Sequence, residues 1–221
     1  MTTFSSTYVT CGACGQNFEH NALSSTNRFG SMDLDTRPPE MERSTMNAWI
    51  QRCPGCGHCA SDASVFDRRL MVLLESENYQ GNLVDPNLPP LSAQFVCAGL
   101  LLEAALEFVK AGWEFLHAAW VTDDANLANE SRKWRTRAAE CFGRCLESAE
   151  LSNEFAIELS AVQVDCLRRA NRGKEAAPII DRLQAEARNP VIDQVMVYQR
   201  RLIMNGDNAA HTVSEAMSTR T

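Results

Sequence analysis

The chain predicts a mainly α fold with a small β ribbon at its N-terminus, and three observations carry that prediction. Two CxxCG turns, Cys11-Gly-Ala-Cys14-Gly15 and Cys53-Pro-Gly-Cys56-Gly57, frame a turn-rich segment. Beyond residue 91, apolar residues recur at spacings of three and four, the period of a helix with one buried face. The composition, 45% hydrophobic and 22% charged over 221 residues, is that of an ordinary globular protein.

Two cysteines separated by two residues and followed by glycine form a tight knuckle. Backbone N–H groups then face the thiolates, and both sulfurs reach one ion at about 2.3 Å. Two such knuckles complete a closed tetrahedral site, so Cys11, Cys14, Cys53 and Cys56 are read as the ligands of one structural zinc. A closed site staples a fold and leaves no coordination position for substrate. Tyr8-Val9-Thr10 and Ala48-Trp49-Ile50-Gln51 are β-prone runs that lead into the knuckles. Between them, Asn27 to Pro39 is turn-rich and charged, and Pro38-Pro39 denies it regular structure. Glu40 to Met46 has room for one helical turn. Residues 1–62 are assigned as the zinc-ribbon domain.

From Ser61 the pattern turns helical. Val65, Phe66, Leu70, Val72, Leu73 and Leu74 predict a helix over 62–78, capped by Ser61 or Asp62. Gly81 to Pro90 reads as a break, so 63–90 is a helix and linker. Residues 92–122 carry Phe95, Leu102, Val109, Trp113, Leu116 and Trp120 at helical spacing, with a break expected near 104–112. Further helices are predicted over 126–149, 153–172, 175–188 and 190–204. Gly173 is expected as the left-handed residue ending one of them, and Pro190 as the first residue of the last. Antiparallel helices of this length, with Leu167 to Ala177 supplying a turn and small residues, predict a tetratricopeptide-like array over 91–205. No strict 34-residue self-match is present. Residues 206–221 are polar and read as a flexible tail.

Composition narrows the function classes. No run of about 18 apolar residues is present, so no membrane span is expected. The N-terminus lacks the basic and apolar regions of a secretion signal. Nine cysteines in such a chain point to reduced thiols, metal and a cytoplasmic location. The net charge is −7, and in the ribbon Arg28, Arg37, Arg43 and Arg52 are outnumbered by Glu19, Asp33, Asp35, Glu40, Glu42 and Asp62. Nucleic-acid binding draws its affinity from phosphate neutralisation, so that partner is disfavoured. No Walker loop, GxGxxG, HExxH, GxSxG or kinase set occurs, which argues against an enzyme.

Other candidates each carry a plainer alternative. Cys59 extends the second knuckle to CxxCxxC, a fragment of an iron–sulfur run or a resolving thiol, against a small buried side chain. His58 is a further candidate ligand, or a neighbour of a site already filled by four thiolates. Asp33, Asp35 and Arg37, with Glu40 and Arg43, make a recognition or acid–base loop, or a self-paired loop packing the ribbon against the helices. Cys141 and Cys145 share a helical face and, with Cys97, Cys166 or His117, offer a second metal site or simply core. Arg132, Lys133, Arg135 and Arg137 around Trp134 form a basic cluster for RNA or an acidic partner, or an outer face paired with Glu130, Glu140 and Glu147.

The segments Cys11-x-x-Cys14-Gly15, Phe29-Gly-Ser-Met-Asp-Leu-Asp-Thr-Arg-Pro-Pro-Glu-Met41 and Trp49-Ile-Gln-Arg-Cys53-Pro-Gly-Cys56-Gly-His-Cys-Ala60 carry a resemblance. The chain resembles a family of uncharacterised bacterial proteins with an N-terminal two-knuckle zinc ribbon and a tetratricopeptide-like helical region. Ala118-Ala-Trp120 and the turn around Gly173 fit as well, and the resemblance covers most of residues 8–205. Where relatives carry tyrosine or another residue, this chain has His58-Cys59. The resemblance implies a fold and a metal, and no activity.

These observations favour a non-enzymatic, zinc-binding interaction module whose helical array holds a protein or peptide, with Trp113, Trp120 and Trp134 as aromatic anchors. The alternatives are a nucleic-acid-associated ribbon and a metal- or redox-responsive regulator using Cys59.

Overall fold

Strand pairing starts earlier than the sequence indicates. In a computed structural model that describes residues 1–148, 153–186 and 189–218, Thr3–Thr10 (β1) and Asn17–Ser25 (β2) form an antiparallel hairpin around the first knuckle. Threonine, tyrosine and valine along β1 suit a pleated strand. The hairpin leaves the body, since β1 is exposed over nearly its whole length and Phe18 is the one buried residue of β2. The second knuckle sits between Gln51–Arg52 (β3) and Cys59–Ala60 (β4), also antiparallel. The strand expected from Ala48 is shorter than predicted, because a 3₁₀ turn over Glu42–Ala48 takes that residue. Buried Thr45 and Met46 anchor the turn, and the Trp49 indole N–H donates to Thr45 Oγ1 at 3.0 Å.

The single helix expected over 62–78 is replaced by a 3₁₀ turn, Arg68–Leu70, and two short helices, Met71–Leu74 (α1) and Glu77–Leu83 (α2). Side chains impose the division: Asp67 accepts the Arg69 N–H, and Ser76 caps α2 by accepting the Tyr79 N–H. Gly81 lies inside α2, so the break begins later than predicted.

Pro90–Ala104 (α3), Phe108–Asp124 (α4), Ala128–Ser148 (α5), Asn153–Arg169 (α6), Gly173–Glu186 (α7) and Pro190–Met204 (α8) follow the predicted period. The predicted ends at Ala149 and Arg188 lie outside the described residues. Each helix packs on the next, and α6 also meets α8. Four helix ends close alike. At Leu106, Asn126, Asn171 and Gly206 the backbone takes φ of 64°, 58°, 64° and 66°. The N–H of that residue bonds three residues back and the next N–H five back, as in Leu106 to Glu103 and Glu107 to Leu102. Asn171 therefore ends α6, and Gly173 instead begins α7. Its small size lets Ile203 of α8 approach, since a Cβ there would lie 2.7 Å from Ile203 Cγ2.

The chain after α8 returns to the inter-knuckle segment. Leu34 N–H donates to His211 C=O at 2.8 Å, Val213 N–H to Met32 C=O at 3.0 Å, and Val213–Ser218 (α9) buries Ala216. A single apolar core runs from Cys11 through Phe95, Trp120 and Phe142 to Ala216. No helix among the described residues is long and apolar enough to cross a membrane.

Candidate functional site

Both knuckles are built from the same backbone bonds. Cys11 N–H donates to Gln16 C=O at 2.9 Å and Gly15 N–H to Cys11 C=O at 2.8 Å. In the second, Cys53 N–H donates to His58 C=O at 2.9 Å and Gly57 N–H to Cys53 C=O at 3.0 Å. Gly15 and Gly57 take φ of 79° and 78°, left-handed values that explain the glycine after each CxxC. The turns aim the N–H groups of Cys14 and Ala13 at the Cys11 sulfur, and those of Cys56 and Gly55 at the Cys53 sulfur.

The four cysteine sulfurs lie within 4.8 Å of one another and can hold a metal ion. Cys11 and Cys56 are 3.7 Å apart, and Cys14 and Cys53 are 3.5 Å apart. Ligands about 2.3 Å from a central zinc stand about 3.8 Å from each other in a tetrahedron, so the donor set fits. Burial pushes the Cys11 and Cys56 thiols up. At Cys53 burial also acts upward, but the Cys56 and Gly55 N–H groups outweigh it and bring the thiol to about 7. Cys14 is the exposed corner of the site.

His58 and Cys59 stand next to this set. His58 is buried, its Nδ1 is 3.8 Å from Cys11 Sγ, and its ring meets Phe66 edge-on at 4.9 Å. Burial holds it below the usual histidine range. The Cys59 thiol donates to Gly57 C=O at 3.3 Å from behind the knuckle, and burial raises it to about 12. Tyr79 secures the same turn: its hydroxyl accepts the Cys59 N–H at 3.1 Å and donates to Gly57 C=O at 3.0 Å.

The inter-knuckle segment is turned inward. Asp35, fully buried, accepts from the Trp120 indole N–H at 2.9 Å, from Arg135 at 3.3 Å and from Arg169 at 3.2 Å. Asp123 joins the same two arginines at 2.7 Å each and accepts from Ser131. Arg37 is buried and reaches Asp124 at 2.5 Å, while Asp33 pairs with Arg43 at 2.7 Å. Burial acts upward on Asp35, but Arg169 and Arg135 outweigh it and hold its carboxyl low; the same two arginines hold Asp123 low. At Asp33 burial prevails and the carboxyl is raised. The Nε–H groups of Arg37, Arg135 and Arg169 have no acceptor among the described residues.

The basic cluster is divided by this arrangement. Arg135 is spent on Asp35 and Asp123, Arg137 and Arg144 meet Glu103, and Lys133 meets Glu130. Cys97, Cys141 and Cys166 lie in the core with thiols raised by burial, Cys141 to about 12. Cys145 is buried on the same face as Cys141.

Two clefts take the tryptophans. A cleft of ≈ 220 Å³ at the seam of ribbon and helices is lined by Trp49, Trp113, His117 and Trp120, with Pro38 and Pro39 opposite. His117 stands at its centre, 5.3 Å from Trp49 and 5.0 Å from Trp120, with Nδ1 3.4 Å from Glu114. Arg28 and Glu42 form an ion pair at its edge. A second cleft, of ≈ 390 Å³, lies between α2 and α5 and takes Trp134. Sequence reasoning did not find Asp123, Arg169 or Tyr79, because nothing local marks a residue whose partners are far along the chain. No protein-family model, curated protein or solved structure matches this chain.

Proposed function

We propose that this chain is a zinc-stapled interaction module, in which the metal is structural and the helical array receives a protein or peptide. The observation that supports the metal assignment is the closed set of four sulfurs at tetrahedral spacing, with no oxygen or nitrogen donor among them. Thiolate-only ligands and two rigid knuckles favour zinc, and thiolates need a reducing, cytoplasmic setting. We read the likeness to the two-knuckle ribbon family as kinship, and α3–α8 as a degenerate tetratricopeptide-like array.

The interaction reading rests on the two tryptophan-lined clefts. Aromatic side chains bring large contact area at low entropy cost, and stacked helix pairs create extended receiving surfaces. A nucleic-acid role gains little support, because Lys133, Arg135 and Arg137 of the basic cluster, and Arg144 beyond it, pair with acids of the same chain. The metal assignment is tested by elemental analysis of the purified protein beside Cys53→Ser. One zinc per chain, lost with the ribbon fold in the variant, is the expected result. Iron, or a variant that folds unchanged, overturns it and promotes the redox reading through Cys59.

A further inference from the structure

The outer strand of the N-terminal hairpin presents a backbone edge that the fold leaves open. β1 pairs with β2 alone, whereas β2 also meets the 3₁₀ turn Glu42–Ala48. Among the described residues no backbone hydrogen bond reaches the far side of β1. Side chains pin the two strands in register. Thr3 Oγ1 is 2.7 Å from Ser25 Oγ, the Ser24 hydroxyl donates to Ser5 Oγ at 2.9 Å, and the Thr10 hydroxyl donates to Asn17 Oδ1 at 2.7 Å. The one irregularity of register falls between Thr3 and Phe4, which leaves residues 4–10 regular. The Cys11 N–H to Gln16 C=O bond fixes the phase of this ladder. Hydrogen-bonded pairs recur at every second residue, so Val9, Thr7 and Ser5 turn their N–H and C=O groups to β2. Tyr8, Ser6 and Phe4 therefore turn theirs outward.

Proteins ordinarily blunt an open edge with charge, proline or a bulge. Residues 4–10, Phe-Ser-Ser-Thr-Tyr-Val-Thr, carry no charge, no proline and no glycine. Phe4 and Tyr8 share one face of the strand and are 46% and 82% exposed, with Leu23 of β2 opposite Phe4. A two-stranded ribbon is marginal by itself and gains from further strands. The strand is also complementary to itself. Two copies set antiparallel about a twofold axis at Ser6 place Phe4 of each opposite Tyr8 of the other, on the same face. In that register the outward N–H and C=O groups of Phe4, Ser6 and Tyr8 are all paired, and an aromatic pair forms twice. Sliding the register by two residues sets Phe4 against Ser6 or Thr10 instead, and loses the aromatic pairs. No charge meets its like along the seam, although the chain carries a net −7.

We propose that β1 docks edge to edge on β1 of a second copy of this chain, giving an antiparallel sheet in the order β2–β1–β1–β2. The contact is isologous and consumes the open edge of both copies, so assembly closes at a dimer. This surface is separate from the two tryptophan-lined clefts, and the interaction-module reading neither supports nor requires it.

The test is sedimentation velocity of the zinc-loaded full chain over about a hundredfold range of concentration, beside Ser6→Pro and Ser6→Lys. The parent is expected to pass from the mass of one chain to that of two as concentration rises. Ser6→Pro removes an N–H that faces away from β2, where an edge strand tolerates proline. Ser6→Lys sets two positive charges opposite each other on the axis, and serves if the proline disturbs the hairpin. Both variants are expected to stay monomeric over the whole range, with the parent's circular dichroism spectrum. Hydrogen exchange followed by NMR reads the register. In the parent the Phe4, Ser6 and Tyr8 amides gain protection as concentration rises, while those of Ser5, Thr7 and Val9 are protected throughout. A parent that stays monomeric at every concentration, or a dimer that survives both variants, overturns the proposal. Species larger than a dimer overturn the closed pairing. A monomer whose Phe4, Ser6 and Tyr8 amides become protected by an added alternating valine–threonine peptide overturns the second copy in favour of a strand from another protein.

Discussion

Asp35 and Trp120 are 85 residues apart in sequence and share a 2.9 Å hydrogen bond from which solvent is excluded. One belongs to the loop strung between the knuckles and the other to α4, so the bond joins the ribbon that carries the four clustered cysteines to the helices. Around it, Arg135 and Arg169 supply two positive charges that, among the described residues, pair with Asp35 and Asp123.

Removing the Asp35 charge strands those guanidinium groups in the core. Asp35→Asn is expected to cost about 3–5 kcal/mol in urea unfolding, the range for breaking a buried pair from one side. Asp124→Ala removes a carboxylate that is 60% exposed but leaves buried Arg37 without its ion-pair partner, so its cost is expected to lie between the about 0–1 kcal/mol of a surface pair and that of Asp35→Asn.

The same carboxylates set an acid limb. Asp35 and Asp123 are depressed in the folded state, so the unfolded chain binds their protons more readily. Their contribution is present above the unfolded value of about 3.9 and is lost as pH falls through the lower folded values. Asp33, raised by burial, acts in the opposite sense, contributing at low pH and losing that contribution as pH rises. Urea midpoints between pH 5 and pH 2.5 should fall less steeply in Asp35→Asn than in the parent (expected window from about the unfolded carboxylate value downward).

The knuckle glycines separate strain from crowding. Gly15 and Gly57 share one backbone conformation, but a Cβ at Gly15 meets open space and one at Gly57 would lie 2.6 Å from Leu83 Cδ2. Gly15→Ala is expected to lose about 1–2 kcal/mol from the left-handed backbone alone. Gly57→Ala loses more, and chelator competition should show the weaker metal retention of the two in that variant.

Leu106 is an exposed leucine in a left-handed helix end where glycine would be unstrained. Leu106→Gly is expected to stabilise the protein by about 1 kcal/mol, read as a rise of about 2–4 °C in Tm.

Thiol labelling distinguishes a structural site from a redox one. Cys59 is buried and raised to about 12, so iodoacetamide at neutral pH should leave it unmodified in the metal-loaded protein. Chelation should expose Cys11, Cys14, Cys53 and Cys56 first. Rapid modification of Cys59 before metal loss would restore the redox reading.

What the sequence made legible was whatever is written locally. Cys11, Cys14, Cys53 and Cys56 announce themselves by spacing, and α3–α8 by a period that one buried face requires. The role of Asp35 could not be read that way, since Trp120, Arg135 and Arg169 lie on α4, α5 and α6, 85 to 134 residues further on. Gly173 was the obvious left-handed residue, yet Asn171 takes that position, because asparagine also tolerates it and Gly173 is needed against Ile203. The helix over 62–78 was divided by Asp67 and Ser76, whose capping bonds compete with a continuous apolar stripe. The polar residues after 206 lacked a pattern because their order comes from Met32 and Leu34, not from their own periodicity.

Arg169 is made 134 residues after Asp35. At synthesis rates of about 5–20 residues per second, the carboxylate waits roughly 7 to 27 s for that partner. Throughout the wait the inter-knuckle loop has no helices to lie against, whereas the knuckles at its two ends can already close on a metal. With a metal held by the four cysteines, the loop would be pinned at both ends before its binding place exists, and its charged residues would be kept from wandering until the ribosome has delivered the rest of the core.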